Sequence, residues 1–137
     1  LLVGAALAQR PELFGAVVCE VPLLDMLRYT ELLAGASWID EYGDPDDAAE
    51  RAALAAYSPY HHLRADARYP LALFTTSGSD DRVHPGHARK MAARLQELGH
   101  DALFYETDGG GHAGNAGQEE TASELARVLV YLYQRLM

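Results

Sequence analysis

The chain has 137 residues, 49% of them hydrophobic, which is the length of one domain with enough apolar surface to bury a core. Its formal net charge is -9, with the acids spread along the chain, so a phosphate-backbone-binding surface is excluded and nucleic acid is not an expected partner. The single cysteine, Cys19, excludes an intrachain disulfide, and its place in the apolar run AVVCEV assigns it to the core.

Residues 1–10, LLVGAALAQR, combine small and apolar side chains as a buried helix does, and the pattern stops before Pro11. This stretch has neither the basic segment nor the cleavage context of a leader and is too short to cross a bilayer, so no membrane partner is expected. Residues 15–21, GAVVCEV, form a continuous β-branched run suited to a buried parallel strand. In LLDMLRYTELL, residues 23–33, apolar side chains recur at helical spacing. Residues 35–48 carry glycines, a proline and five acids, which predict an irregular excursion or cap before a short helix around 49–56. YPLALFTTS, residues 69–77, is a second buried strand, and Pro85 opens a helix whose apolar face runs through Met91, Leu95 and Leu98. DALFYET, residues 101–107, is a third strand. The last twenty residues make an amphipathic helix with acids in its first turn and Arg135 in its last. There is no internal repeat and no low-complexity tract.

The order is therefore α-β-α-β-α-β-α, with strands ending near residues 21, 77 and 107. Strands alternating with helices imply a parallel sheet covered on both faces, and in such sheets active-site groups collect beyond the carboxyl ends of the strands. After the second strand stands SGSDDRVHP, residues 77–85, and after the third stands DGGGHAGN, residues 108–115. One loop offers a carboxylate, Asp80 or Asp81, and the other an imidazole, His112. A hydroxyl nucleophile needs a base to take its proton, and that base needs a carboxylate to fix its tautomer and stabilise the imidazolium that forms. An Asp followed by a His in these positions is the second half of a Ser, Asp, His order. The glycines before His112 let the loop turn sharply off its strand and keep bulk away from a substrate carbonyl.

LLVGAALAQRPELFGAVVCEVPLLDML, SWIDEYGDP, YSPYHHL, DDRVHP and GGGHAG, in that order and at these spacings, resemble the C-terminal part of the catalytic domain of the prolyl oligopeptidase family. These are serine peptidases with an α/β-hydrolase domain and, in most members, a β-propeller lid. The resemblance spans essentially all 137 residues and implies a three-layer α/β-hydrolase fold of which this chain is the C-terminal half, about three parallel strands with flanking helices. It implies that the parent enzyme hydrolyses short peptides after proline, with no cofactor. Carried over by position, Asp80 matches the triad acid and His112 the triad base. Arg82 matches the arginine that holds a substrate backbone carbonyl, a role suited to an always-charged guanidinium with several donors. Trp38 matches the aromatic on which a proline ring stacks, Tyr42 the pocket tyrosine, and Val83 and Leu23 apolar pocket walls.

The departures concern the nucleophile. The serines are Ser37, Ser58, Ser77, Ser79 and Ser123, and none lies in a G-x-S-x-G elbow. The oxyanion donors and any propeller are also missing, and Leu1 falls where the elbow helix would begin. Residues 1–137 are thus expected to be a partial peptidase domain, inactive alone, whose partners are the rest of the same protein and a short peptide. The apolar first strand lies, in the family, beside the strand leading to the nucleophile, so an open sheet edge and self-association are expected. Asp40 and Glu41 beside Trp38 keep open a basic-specific oligopeptidase, and acylaminoacyl peptidases or esterases of the same fold remain alternatives. A noncatalytic scaffold is a further alternative. His84 and His87 form H-x-x-H and His61 and His62 are adjacent, but no Cys or Glu joins them at the spacing of a known zinc site, so no metal is expected. The sequence leaves the compartment, cytoplasmic or periplasmic, open.

Overall fold

A computed structural model describes residues 1–114 and 117–137. Asn115, the last residue of DGGGHAGN, lies outside the described residues. The elements are α1 (Leu2–Gln9), β1 (Val17–Glu20), α2 (Ile39–Tyr42), α3 (Ala48–Tyr57), β2 (Ala72–Ser77), α4 (Gly86–Glu97), β3 (Ala102–Thr107) and α5 (Gln118–Leu136). Short 3-10 turns cover Pro11–Leu13, Tyr29–Glu31, Leu33–Trp38 and Pro59–His62. The three strands form one parallel sheet in the order β1-β2-β3, with Val17 opposite Ala72 and Ser77 opposite Thr107.

Alternation along the strands sends Val17, Cys19, Ala72 and Phe74 to one face, where they pack with Leu7 and Ala8 of α1 and Ala88, Met91, Ala92 and Leu95 of α4. Helix α1 can approach this closely because Gly4 has no side chain: a Cβ there would stand 2.2 Å from Leu24 Cδ2. Helix α4 follows Pro85 and ends where Gly99, at φ +85°, turns the chain and lets the amide of His100 donate to Leu95 O at 2.9 Å. The opposite face is covered by α5, whose Arg127 guanidinium lies 3.4 Å from the Tyr105 ring centroid. The arrangement is a three-layer α/β fold of parallel strands with flanking helices.

Two expectations need correction. The helical spacing over residues 23–33 is not an α-helix: the segment runs irregularly through Met26 and then forms 3-10 turns, with Leu33 at φ +51°. Its apolar residues are spaced by what they pack against, since Leu23, Met26, Tyr29 and Leu54 form a second small core. Nor is the sheet covered evenly, because Leu103 and Phe104 of β3 are exposed at the sheet edge opposite β1. Helix α5 also leaves an apolar stripe, Leu125, Leu129, Tyr133 and Leu136, in solvent. Among the described residues no helix is long and apolar enough to cross a membrane.

Tyr131, buried on α5, ties the layers together near the start of the sheet: the amide of Val17 donates to its Oη at 2.9 Å, and its hydroxyl donates to Leu71 O. Tyr131→Phe keeps the ring and strands those buried partners. It should lower the unfolding free energy by about 1–3 kcal/mol, read from the urea midpoint at unchanged m-value.

Candidate active site

Asp80 stands just beyond β2 and His112 just beyond β3, so neighbouring parallel strands deliver them to the same edge of the sheet. The Asp80 side chain is fully buried. Its Oδ1 accepts the amides of Arg82 at 2.8 Å and Val83 at 2.9 Å, which closes the acid turn, and its Oδ2 faces His112 Nδ1 at 3.0 Å. Burial pushes the Asp80 carboxyl up, but the Arg82 and Val83 amides and His112 outweigh it, and the net direction is down. Asp80 is therefore an ionised acceptor. Asp81, one residue on, is exposed, which distinguishes the two acids of the DDR turn.

His112 reaches this position through backbone that only glycine adopts readily: Gly110 has φ +102° and Gly111 φ +59°. The two loops are also stitched together. The Ser77 hydroxyl donates to Gly109 O at 3.0 Å, the amide of Gly78 donates to Thr107 O at 2.8 Å, and that of Gly111 reaches Ser79 Oγ at 3.5 Å. Ser77 and Ser79, which lie outside any G-x-S-x-G elbow, have this structural use instead. A polar residue pair beside a glycine at a strand end was the only available signal. Ser58 is fully buried, and the Ser37 hydroxyl donates to Ala34 O at 2.6 Å.

In front of His112 opens a cleft of about 280 Å³. Leu23, Trp38, Tyr42, Arg82, Val83 and His112 all line it, together with Leu1, Val21 and Glu41. Thus the residues expected from the sequence converge, with Asp80 behind His112; Asp40 is not among the lining residues. Leu23 and Val83 are buried, while Trp38 and Tyr42 are half-buried and rest on the second core. The Tyr42 ring stands edge-on to Tyr29, with centroids 5.9 Å apart. Arg82 is exposed, and its guanidinium has no partner among the described residues. The cleft can hold a flat apolar group against Trp38 with a cation at its rim and an imidazole at its end.

A second cavity, of about 260 Å³, lies on the α5 side of the same sheet edge and shares only Val21 and His112 with the cleft. Among the described residues no group of three or more His, Cys, Asp or Glu has the geometry to hold a metal ion. His84 Nδ1 accepts the amide of Gly86 at 2.9 Å at the entry to α4, His61 and His62 lie on the 3-10 turn after α3, and His87 is buried.

The model of the prolyl oligopeptidase family matches residues 1–137. An uncharacterized peptidase, y4nA, of Sinorhizobium fredii is 50% identical over 137 residues, covering 100% of this chain and 19% of the relative. The prolyl endopeptidase of Elizabethkingia miricola is 37% identical over 139 residues, covering 98% of this chain and 20% of the enzyme. The solved structure of a post-proline cleaving enzyme from Rickettsia typhi superposes with a TM-score of 0.95 at 40% identity, over 99% of this chain and 20% of that one. The chain spans about a fifth of the length of the curated relatives it matches. By its matched family model and these relatives, the chain belongs to the prolyl oligopeptidase family of peptidases.

Proposed function

We propose that this chain supplies the acid, the base and the proline pocket of a serine-type oligopeptidase that hydrolyses short peptides after proline, the nucleophile coming from outside these 137 residues. The observation that carries the proposal is the 3.0 Å contact between Asp80 Oδ2 and His112 Nδ1 at the end of a cleft walled by Trp38. With its Nδ1–H donated to the buried carboxylate, His112 presents Nε2 as the base. It takes the proton of the attacking serine hydroxyl as the serine oxygen bonds to the scissile carbonyl carbon. It then passes that proton to the leaving amine, and water hydrolyses the acyl-enzyme by the same route. The exposed Arg82 guanidinium, without a partner among the described residues, suits a substrate backbone carbonyl, and Trp38 suits the face of a pyrrolidine ring. The exposed stripe on α5 and the unpaired edge of β1 are where the rest of the protein would pack.

Glu41 on the cleft wall favours a second reading, a pocket for a basic side chain. Comparing cleavage after Pro with cleavage after Arg or Lys decides between the two: preference for Pro supports the proposal, preference for Arg or Lys the alternative.

The isolated chain should fail to label with a fluorophosphonate, which needs an activated hydroxyl, and should self-associate in light scattering through its open apolar surfaces. Joined to the complementary part of the protein, it should support labelling of the added serine and post-proline cleavage. Labelling of the chain alone would refute the proposal.

In that assembled enzyme Asp80→Asn should lower kcat by about 10⁴-fold with the fold retained, because the imidazole is left in the wrong tautomer, whereas Asp81→Asn should change it little. Trp38→Ala should chiefly reduce discrimination for proline, read as the ratio of kcat/KM for Pro and Ala substrates.

A further inference from the structure

The segment that carries the pocket wall, residues 21–26, has no helix or strand of its own, yet its backbone is tightly specified. The amides of Leu24 and Asp25 donate to His87 Nδ1 at 3.4 and 3.1 Å, and that of Met26 donates to Ser58 Oγ at 3.0 Å. Leu24 O accepts the amide of Tyr60 at 3.1 Å. The Asp25 side chain, fully buried, accepts from Lys90 Nζ through Oδ2, while its Oδ1 lies 3.9 Å from His61 Nε2. Val21 holds φ +38°, a left-handed conformation that a β-branched residue keeps only where its surroundings over-determine it. Ser58 Oγ is hydrogen-bonded to His61 Nδ1 at 2.8 Å, but His61 Nε2 stands 3.9 Å from Asp25 Oδ1, too far for a hydrogen bond, and Ser58 is fully buried, so the cluster offers no nucleophile.

His87 and Lys90 both come from the first turns of α4, the helix entered directly from the acid turn that holds Asp80, Arg82 and Val83. We propose that His87, with the Asp25–Lys90 pair, is a positioning residue for peptide hydrolysis: it bolts the pocket-wall segment to the helix behind the acid turn and so fixes where Leu23 stands relative to His112. The proposal rests on the post-proline assignment above. Its chemistry is specific, because a ring nitrogen that accepts two amides must be unprotonated. His87 is therefore neutral with its proton on Nε2, and burial pushes it down to about 4 against the opposing pull of Asp25. Asp25, Lys90 and His84 are the charged or titratable side chains that act on it.

The test uses full-length enzyme with His87→Leu, His87→Asn and Asp25→Asn. Asn carries an acceptor oxygen near the place of Nδ1; Leu carries none and strands two buried amides. For His87→Leu the expected result is a roughly ten- to hundredfold loss in kcat/KM for a proline substrate, mainly in KM, with a reduced preference for Pro over Ala. Labelling by a small fluorophosphonate, which reports the nucleophile and base without filling the pocket, should change less than about threefold, and His87→Asn should restore most of the loss. If His87→Leu does not fold, Asp25→Asn, of the same shape, should show the same split in weaker form. Cleavage and labelling falling in parallel in either variant, or kinetics unchanged in both, would overturn the proposal. Nitrogen-15 NMR of His87 separates it from the assignment it rests on. A protonated Nδ1 at neutral pH overturns the clamp itself. An unprotonated Nδ1 in a full-length protein that neither labels nor cleaves after proline overturns the assignment, and the positioning role with it, and leaves only the clamp.

Discussion

Asp80 and His112 meet because β2 and β3 run parallel and end at the same register pair, Ser77 opposite Thr107. From that shared end the chain needs only a short turn to bring the carboxylate inward and a glycine-rich loop to bring the imidazole over it. Antiparallel pairing would send the two loops to opposite ends of the sheet. The parallel arrangement requires a crossover helix, and α4 serves as that crossover while lending its buried face to the main core. The same helix therefore closes the sheet, follows the acid turn and reaches the pocket-wall segment.

A fully buried carboxylate is costly unless its lone pairs are taken, and at Asp80 they are: two backbone amides and one imidazole surround it. These donors outweigh the burial that would otherwise keep the group protonated. The contrast with His87 shows how environment divides two histidines of one chain. His112, partly exposed, has its Nδ1 directed at a carboxylate, while His87, fully buried, has Nδ1 directed at amide hydrogens. The first arrangement prepares an imidazole to accept a proton at Nε2, and the second prevents protonation at Nδ1.

Much of this was legible in the sequence. The strand runs around Val17–Glu20, Ala72–Ser77 and Ala102–Thr107 stand out by β-branched and aromatic content, and the loops that follow the last two carry Asp80 and His112. The pocket was legible only through resemblance, since nothing local in SWIDEYGDP tells that Trp38 will line one cleft with Arg82. Residues 23–33 misled because their apolar spacing answers to a tertiary core around Tyr29 and Leu54, with backbone bonds to side chains far along the chain. His87 does lie at the entry to α4, but its bonds to the amides of Leu24 and Asp25 were not legible, because these partners lie more than sixty residues away, where no periodicity points. The exposure of β3 was missed because an apolar run does not show whether its strand is central or at an edge.

The proposed chemistry depends on Asp80 holding His112 by its Nδ1 proton. The most direct measurement is the proton spectrum of the His112 ring, assigned by nitrogen-15 correlation, in the unaltered protein and in Asp80→Asn and Asp81→Asn. An Nδ1 proton shifted downfield of ordinary imidazole protons, lost in Asp80→Asn and kept in Asp81→Asn, is the predicted result. A His112 protonated on Nε2 instead, or an Nδ1 resonance indifferent to Asp80→Asn, would contradict it.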